Sequence, residues 1–61
     1  MDYLNMDKNM LYSIVNMKLR DFHSDLEDFC KSENIEIECF NERLEEIGLI
    51  YNKQTNSLDF E

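Results

Sequence analysis

Few side chains of this 61-residue chain could do chemistry: two cysteines, one histidine and fourteen acids. A structural zinc site typically includes two cysteines about two to four residues apart. Cys30, Cys39 and His23 are too widely spaced for that pattern. Nucleophilic catalysis needs a base held beside a serine or cysteine, and nothing in the sequence fixes such a neighbour for His23. We therefore expect no metal, no cofactor and no enzyme activity.

The acids are concentrated in one segment. Residues 25–46 carry about −7 of the total charge of −8, with only Lys31 and Arg43 as cations. The first 24 residues are balanced in charge. Adjacent carboxylates here are typical of solvated helix faces rather than of general acid–base pairs. The acids of the segment are Asp25, Glu27, Asp28, Glu33, Glu36, Glu38, Glu42, Glu45 and Glu46.

The pattern of residues 7–21 predicts helix 1. Asp7 can cap its first turn, and apolar residues recur at the spacing of one buried stripe. We expect residues 1–6 to form an N-terminal arm. The predicted stripe consists of Leu11, Ile14, Val15, Leu19 and Phe22.

Two further helices are predicted in the acidic segment. Helix 2 is expected at 24–33, opened by a capping box between Ser24 and Glu27 and ended by a left-handed Asn34. Helix 3 is expected at 37–47, with Glu36 before its first residue. Gly48 follows at the position where helices most often end in the left-handed conformation.

After Gly48 the apolar period changes from helical to two. Residues 49–60 therefore predict two short strands around an Asn-containing turn, a β-hairpin that must pack on the helices. A chain of this length forms one small domain and buries roughly 60% of its unfolded surface. The predicted fold class is α+β: three helices with helix-turn-helix-like packing of helices 2 and 3, closed by the C-terminal hairpin.

Several motifs are spread over nearly the whole chain: Asp7-x-x-Met10-Leu11-x-Ser13-x-x-Asn16-Met17-Lys18-Leu19-Arg20-Asp21, Leu26-x-x-Phe29-Cys30, Leu44-x-x-Ile47-Gly48-x-x-Tyr51 and Asn56. In these motifs the chain resembles a family of short bacterial proteins, the domain of unknown function numbered 4250. The resemblance implies the same compact fold and brings no activity, cofactor or catalytic residue with it.

The charge distribution disfavours direct DNA binding. A duplex is normally bound by Lys and Arg that displace its counterions, whereas the outward positions of a recognition helix here are mainly glutamates. Two nucleic-acid alternatives stay open. One is weak association through Lys18, Arg20 and Lys53; the other is mimicry, in which carboxylates imitate phosphates and occupy a nucleic-acid-binding protein. The outward positions are Glu36, Glu38, Asn41, Glu42 and Glu45.

The function that the sequence favours is non-catalytic binding of an unknown, basic protein partner. The candidate contact residues are an edge of helix 1 and an acidic face of helix 3. Alternatively, Arg20 pairs with an acid of helix 2 or helix 3, and Asn16 bridges to another element. The candidates are Ser13, Asn16, Lys18 and Arg20 on helix 1, and Glu38, Glu42 and Glu45 on helix 3.

A homodimer is compatible with this interpretation, through an apolar patch of Met6, Met10, Tyr12 and Met17. The N-terminal residues lack the basic and apolar regions of a secretory signal. No apolar run approaches the ~20 residues of a membrane span. We therefore expect a cytoplasmic protein.

Overall fold

The computed structural model describes residues 1–61. Three helices precede a two-stranded antiparallel sheet, which confirms the α+β fold class. None of the helices is long and apolar enough to cross a bilayer. In chain order the elements are a 3-10 turn (Tyr3–Asn5), α1 (Lys8–Phe22), α2 (Leu26–Ser32), α3 (Ile37–Ile47), β1 (Leu49–Asn52) and β2 (Ser57–Phe60).

The N-terminal residues belong to the core rather than to the predicted arm over residues 1–6. Tyr3 is 2% exposed, and its ring meets the ring of Phe29 edge-on with centroids 5.2 Å apart. Met6 is also buried. A small chain has few large apolar side chains with which to fill its interior, and these two are part of its buried core.

The N-terminus of α1 has the predicted cap. The Asp7 carboxylate accepts hydrogen bonds from the amides of Asn9 and Met10, at 3.1 and 3.3 Å. Phe22 departs from the predicted stripe because it is 70% exposed: it is the last residue of α1, where the chain turns away. The buried side chains of α1 are Leu11, Val15 and Leu19.

The predicted capping box at the start of α2 is wrong. Asp25 is the cap, and its carboxylate accepts from the Asp28 amide at 2.8 Å. A carboxylate both bonds to the free amides and is attracted by the helix dipole, which favours Asp25 over the exposed Ser24. The helix consequently starts at Leu26 and has seven residues, fewer than the predicted range 24–33. The helix-turn-helix likeness of α2 and α3 stays a prediction.

The predicted helix ends at Asn34 and Gly48 are confirmed. Asn34 has φ of 60°, and the following Ile35 amide donates to the Cys30 carbonyl at 2.8 Å. Gly48 has φ of 79°, a conformation in which a side chain would be strained. Its amide donates to carbonyls in the last turn of α3. These ends let α3 fold back, so that Phe40 lies against Phe29 with centroids 5.7 Å apart.

The hairpin pairs Leu49 with Phe60 and Tyr51 with Leu58. Leu49 and Leu58 are buried, and they close the core against the helices. In the turn, the Asn52 side chain accepts from the amides of Gln54 and Thr55.

Asn56, the last turn residue, ties the hairpin to the end of α1. Its side-chain amide donates to the carbonyls of Leu19 and His23, at 3.1 and 2.9 Å. Its side-chain oxygen accepts from the Tyr51 hydroxyl at 2.8 Å. The C-terminal carbonyls of a helix lack intrahelical partners, and this single side chain satisfies two carbonyls at the end of α1 while it also bonds to Tyr51.

Asn56 and Asn34 form a natural pair for testing this contact, because both have positive φ, and only Asn56 uses its side chain in hydrogen bonds. We expect Asn56→Gly to lower the free energy of unfolding by ~1–3 kcal/mol, since glycine keeps the backbone conformation and loses the bonds. Asn34→Gly should change it by less than about 0.5 kcal/mol. Chemical denaturation of both variants measures the difference, and equal effects would show that the Asn56 bonds add no stability.

Candidate functional site

The outward face of α3 carries three of the candidate contact residues. Glu38, Glu42 and Glu45 recur at i, i+4 and i+7, a spacing that puts them on one side of the helix. All three are exposed, and none of them is within ion-pair distance of a cation. We call these three residues the acidic face.

Three other acids of the same segment are paired. Asp28 accepts from His23 at 2.8 Å, Glu33 is 3.2 Å from the Lys18 amine, and Glu46 is 3.5 Å from the Arg43 guanidinium. Lys18 and Arg43 are thus engaged with acids outside the acidic face. The negative charge on α3 consequently remains open to solvent or to a partner.

Lys18 lies between two elements rather than in a basic patch. Its amine bonds to the Glu33 carboxylate at the end of α2 and lies over the Tyr3 ring, 6.0 Å from the centroid. The Tyr3 hydroxyl, and after it the Glu33 carboxylate, raise the pKa of Lys18 above its usual value. This predicted contact residue therefore joins α1 to α2 and to the N-terminal turn.

Asn16 was predicted as a contact residue, with bridging to another element as the alternative. The structure shows the bridge. The Asn16 side-chain oxygen accepts from the Leu58 amide at 2.6 Å, and its side-chain nitrogen donates to the Leu58 carbonyl at 3.1 Å. One side chain thus takes up both backbone groups of a residue in β2. Asn16 pairs with the sheet edge as a neighbouring strand would.

The other two candidates on helix 1 remain on the surface. Ser13 is exposed, and Arg20 donates to Asp21, the next residue of its own helix, at 3.0 Å. The guanidinium of Arg20 lowers the pKa of the Asp21 carboxyl. The alternative that Arg20 pairs with helix 2 or helix 3 is therefore wrong. The carboxylate of the adjacent Asp21 occupies the guanidinium instead.

Sequence reasoning missed the role of Asn56. It identified this asparagine only as part of a turn and of the family pattern, whereas the residue binds the end of α1. The available signal was the pairing of an asparagine in a turn with a tyrosine five residues before it. That signal is weak, because asparagine is common in turns for its backbone preferences alone.

The predicted apolar patch is divided. Met6 is buried in the core, and Tyr12 is half-buried with its ring stacked on Phe60 at 4.4 Å between centroids. Met10 and Met17 are exposed on α1, 54% and 37%. They leave a narrow apolar strip on that helix rather than a continuous patch of four residues.

The two cysteines differ in environment. Cys30 is buried, and burial raises the pKa of its thiol to about 11. Cys39 lies exposed on α3. No group of three His, Cys, Asp or Glu side chains is arranged to hold a metal ion.

Shallow grooves mark the surface. The largest, about 670 Å³, runs between the N-terminal turn and α3, where Leu4 faces Cys39 and the surrounding side chains are mostly charged. A second, about 480 Å³, lies between α1 and the hairpin, and Asn16 and Asn56 are among its lining residues. A third, about 280 Å³, lies between β1 and the first turns of α2 and α3.

The hydrogen bonds of Asn16 predict a variant whose stability depends on pH. Asn16→Asp keeps the shape but cannot donate to the Leu58 carbonyl while ionised, so we expect a loss of ~1–3 kcal/mol at neutral pH. Only the protonated carboxyl can donate to the Leu58 carbonyl, so we expect the pKa of the introduced carboxyl in the folded state to lie above its ordinary value. Stability relative to wild type is therefore kept below the ordinary carboxyl pKa and lost as pH rises through the raised value.

Gln54→Glu is the control for Asn16→Asp, because it adds the same charge in the exposed turn. Unfolding of wild type and both variants should be measured at neutral pH and near pH ~3. If Asn16→Asp behaves like Gln54→Glu at both values, the side chain of Asn16 does not hold β2.

The different exposure of the two thiols predicts which of them a thiol reagent will label. A thiol reagent reacts with the thiolate, so exposed Cys39 should react in the folded protein and buried Cys30 only after unfolding. Mass spectrometry should find one label per chain without denaturant and two with it, from the two cysteines present. Cys39→Ser, as the control, should give none until the chain unfolds. Equal native labelling of both thiols would contradict the packing of α2.

Comparison with known proteins places the chain in a family. The profile of the family described as Domain of unknown function (DUF4250) matches residues 5–58. No curated protein matches the chain, and no solved structure does so. The match covers all three helices and the hairpin through Leu58, so it includes Asn16, Gly48 and Asn56, the residues that join the elements. The chain belongs to the DUF4250 family.

Proposed function

We propose that this chain is a non-catalytic protein-binding module that meets a basic partner protein through the acidic face of α3. The observation that carries the proposal is that Glu38, Glu42 and Glu45 are exposed, share one side and have no ion-pair partner. Like charges at this spacing oppose helix formation by ~0.2–0.5 kcal/mol per pair. A partner's Lys or Arg side chains remove that repulsion on binding.

Charge also suits the face for recognition. The chain has net charge −8, so its field attracts basic proteins and repels acidic ones. Complementary charge increases the rate and the selectivity of association more than the final affinity. Binding through this face should therefore weaken as salt rises, because exposed charges are screened within about 10 Å at 0.1 M ionic strength.

The helix 1 edge contributes less than the sequence predicted. Asn16 and Lys18 are engaged in contacts within the fold. Ser13 and Arg20 stay accessible at the surface of α1. We keep these two as secondary contact residues and take the acidic face as the main one.

The nucleic-acid alternatives differ in their support. Direct association through Lys18, Arg20 and Lys53 would set phosphates in competition with Glu33 and Asp21, which already bind two of those cations. Mimicry of phosphates is a special case of binding a basic partner, in which the partner is a nucleic-acid-binding protein. Competition between this protein and DNA for the captured partner separates mimicry from other protein binding.

We propose the bacterial cytoplasm as the location.

The test uses two triple variants that remove the same charge. Glu38→Gln, Glu42→Gln and Glu45→Gln together neutralise the acidic face, while Asp2→Asn, Asp59→Asn and Glu61→Gln neutralise three exposed acids elsewhere. Each tagged protein is used to capture partners from the cells that produce it. We expect wild type and the second variant to retain one stoichiometric basic protein. The affinity of the first variant for this protein should be lower by about tenfold or more, the factor that ~1.4 kcal/mol represents.

Affinity of the purified partner should then be measured at low and high salt. A partner that binds both triple variants equally well would refute the acidic face as the contact surface. Nucleic acid captured without any protein would refute protein binding as the function.

A further inference from the structure

The two outer edges of the hairpin differ in their hydrogen bonds to side chains. The Glu61 amide donates to the Gly48 carbonyl, so these two residues form a hydrogen-bonded pair. Two residues further along β1, Ile50 and Asp59 form the next hydrogen-bonded pair of the register. Bonded and non-bonded pairs alternate along an antiparallel ladder. Tyr51 and Leu58 therefore form a non-bonded pair, whose backbone groups point away from the partner strand.

On β2, Asn16 takes up those groups. The Leu58 amide and carbonyl both bond to the Asn16 side chain, which closes that edge. On β1, no side chain bonds to the amide or the carbonyl of Tyr51. An edge with free backbone groups is a template for another strand.

A groove accompanies the open edge. A groove of about 280 Å³ is lined by Tyr51 together with Leu26 and Ile37 as its other apolar residues. Asn41 of α3 supplies an amide that can bond to a peptide backbone. On the outer face of the hairpin, Ile50 is 50% exposed next to the same edge. An added strand would place alternate side chains in the groove and against Ile50.

We propose that the free edge of β1 binds an extended, basic segment of a partner protein as a third strand. This inference rests on the proposed protein-binding function and names a surface and a mode of binding for it. Asp25 and Glu27 line the groove against the single cation Lys53. The acids suit a segment with Lys or Arg.

Charge decides between a basic partner and a second copy of the chain. Two copies joined at β1 would bring together two chains of net charge −8 with their acidic α3 helices close to the joint. The accessible part of this edge is short, because Leu49 is buried and Tyr51 is the half-buried residue whose backbone groups point outward. Main-chain bonds alone then give limited affinity, and the side chains in the groove must supply the rest.

The first measurement is amide hydrogen exchange by NMR on the free and peptide-bound protein. The probe is a capped synthetic peptide of alternating lysine and valine, and the control peptide alternates glutamate and valine. In the free protein the Tyr51 amide should exchange faster than the Ile50 amide, which pairs with Asp59. Saturating lysine–valine peptide should slow exchange at Tyr51 by about tenfold or more, the factor for ~1.4 kcal/mol. The glutamate–valine peptide should not.

Two variants localise the effect. Ile50→Lys puts a like charge beside the added strand and should weaken binding of the lysine–valine peptide several-fold. Asp59→Asn changes the net charge by the same single unit, through loss of a carboxylate, on the same outer face but on the closed strand, and should weaken binding less. Both positions are exposed, so the fold should survive either change.

Four results would overturn the proposal. Peptide binding confined to the acidic face, with Tyr51 exchange unchanged, would refute the docking edge and leave the proposed function intact. Absence of any peptide binding would refute the edge as well. Slowing of Tyr51 exchange with rising protein concentration and no peptide would identify a second copy as the occupant. Equal weakening by Ile50→Lys and Asp59→Asn would show that net charge, not the edge, controls binding.

Discussion

Two asparagine side chains hold the hairpin against α1, and the remaining structure depends on this contact. A two-stranded hairpin is at best marginally stable by itself. Asn16 binds the middle of β2 and Asn56 binds the end of α1, so the sheet is fastened at two points along one helix. Only with the hairpin in that position do Leu49 and Leu58 complete the core. A core of this size usually provides only ~3–5 kcal/mol, so a few part-buried hydrogen bonds are a large share of the stability.

The features that the sequence predicted correctly are local ones. The Asp7 cap and the left-handed Asn34 and Gly48 depend on residues within one turn, whose preferences are set by backbone sterics and free amides. The choice of Asp25 over Ser24 as cap was missed, although it is also local, because two good capping residues are adjacent and the attraction of the carboxylate to the helix dipole decides between them.

The contacts that depend on distant residues were not predictable from spacing. Asn16 and Leu58 are 42 residues apart, and Asn56 and Leu19 are 37 apart. Tyr3 enters the core through its edge-on contact with Phe29, 26 residues away in the chain, and no local pattern expresses such a contact. The candidate site was predictable in part: the spacing of the acidic face follows from helix geometry. The engagement of Lys18 by Glu33 required the positions of two helices.

Pairing within the fold sets which charges remain for recognition. The Tyr3 hydroxyl and Glu33 raise the pKa of Lys18, so the stability that this contact adds is complete below the ordinary lysine pKa of 10.5 and is lost as pH rises above it. At neutral pH the contact is therefore intact, and Lys18 stays committed to the fold. The open edge of β1 lies over the groove lined by Ile37 and Asn41, residues of the helix that carries the acidic face. Since Asn16 closes the opposite edge, an extended basic segment has one place to pair with the sheet, and there it would lie beside α3.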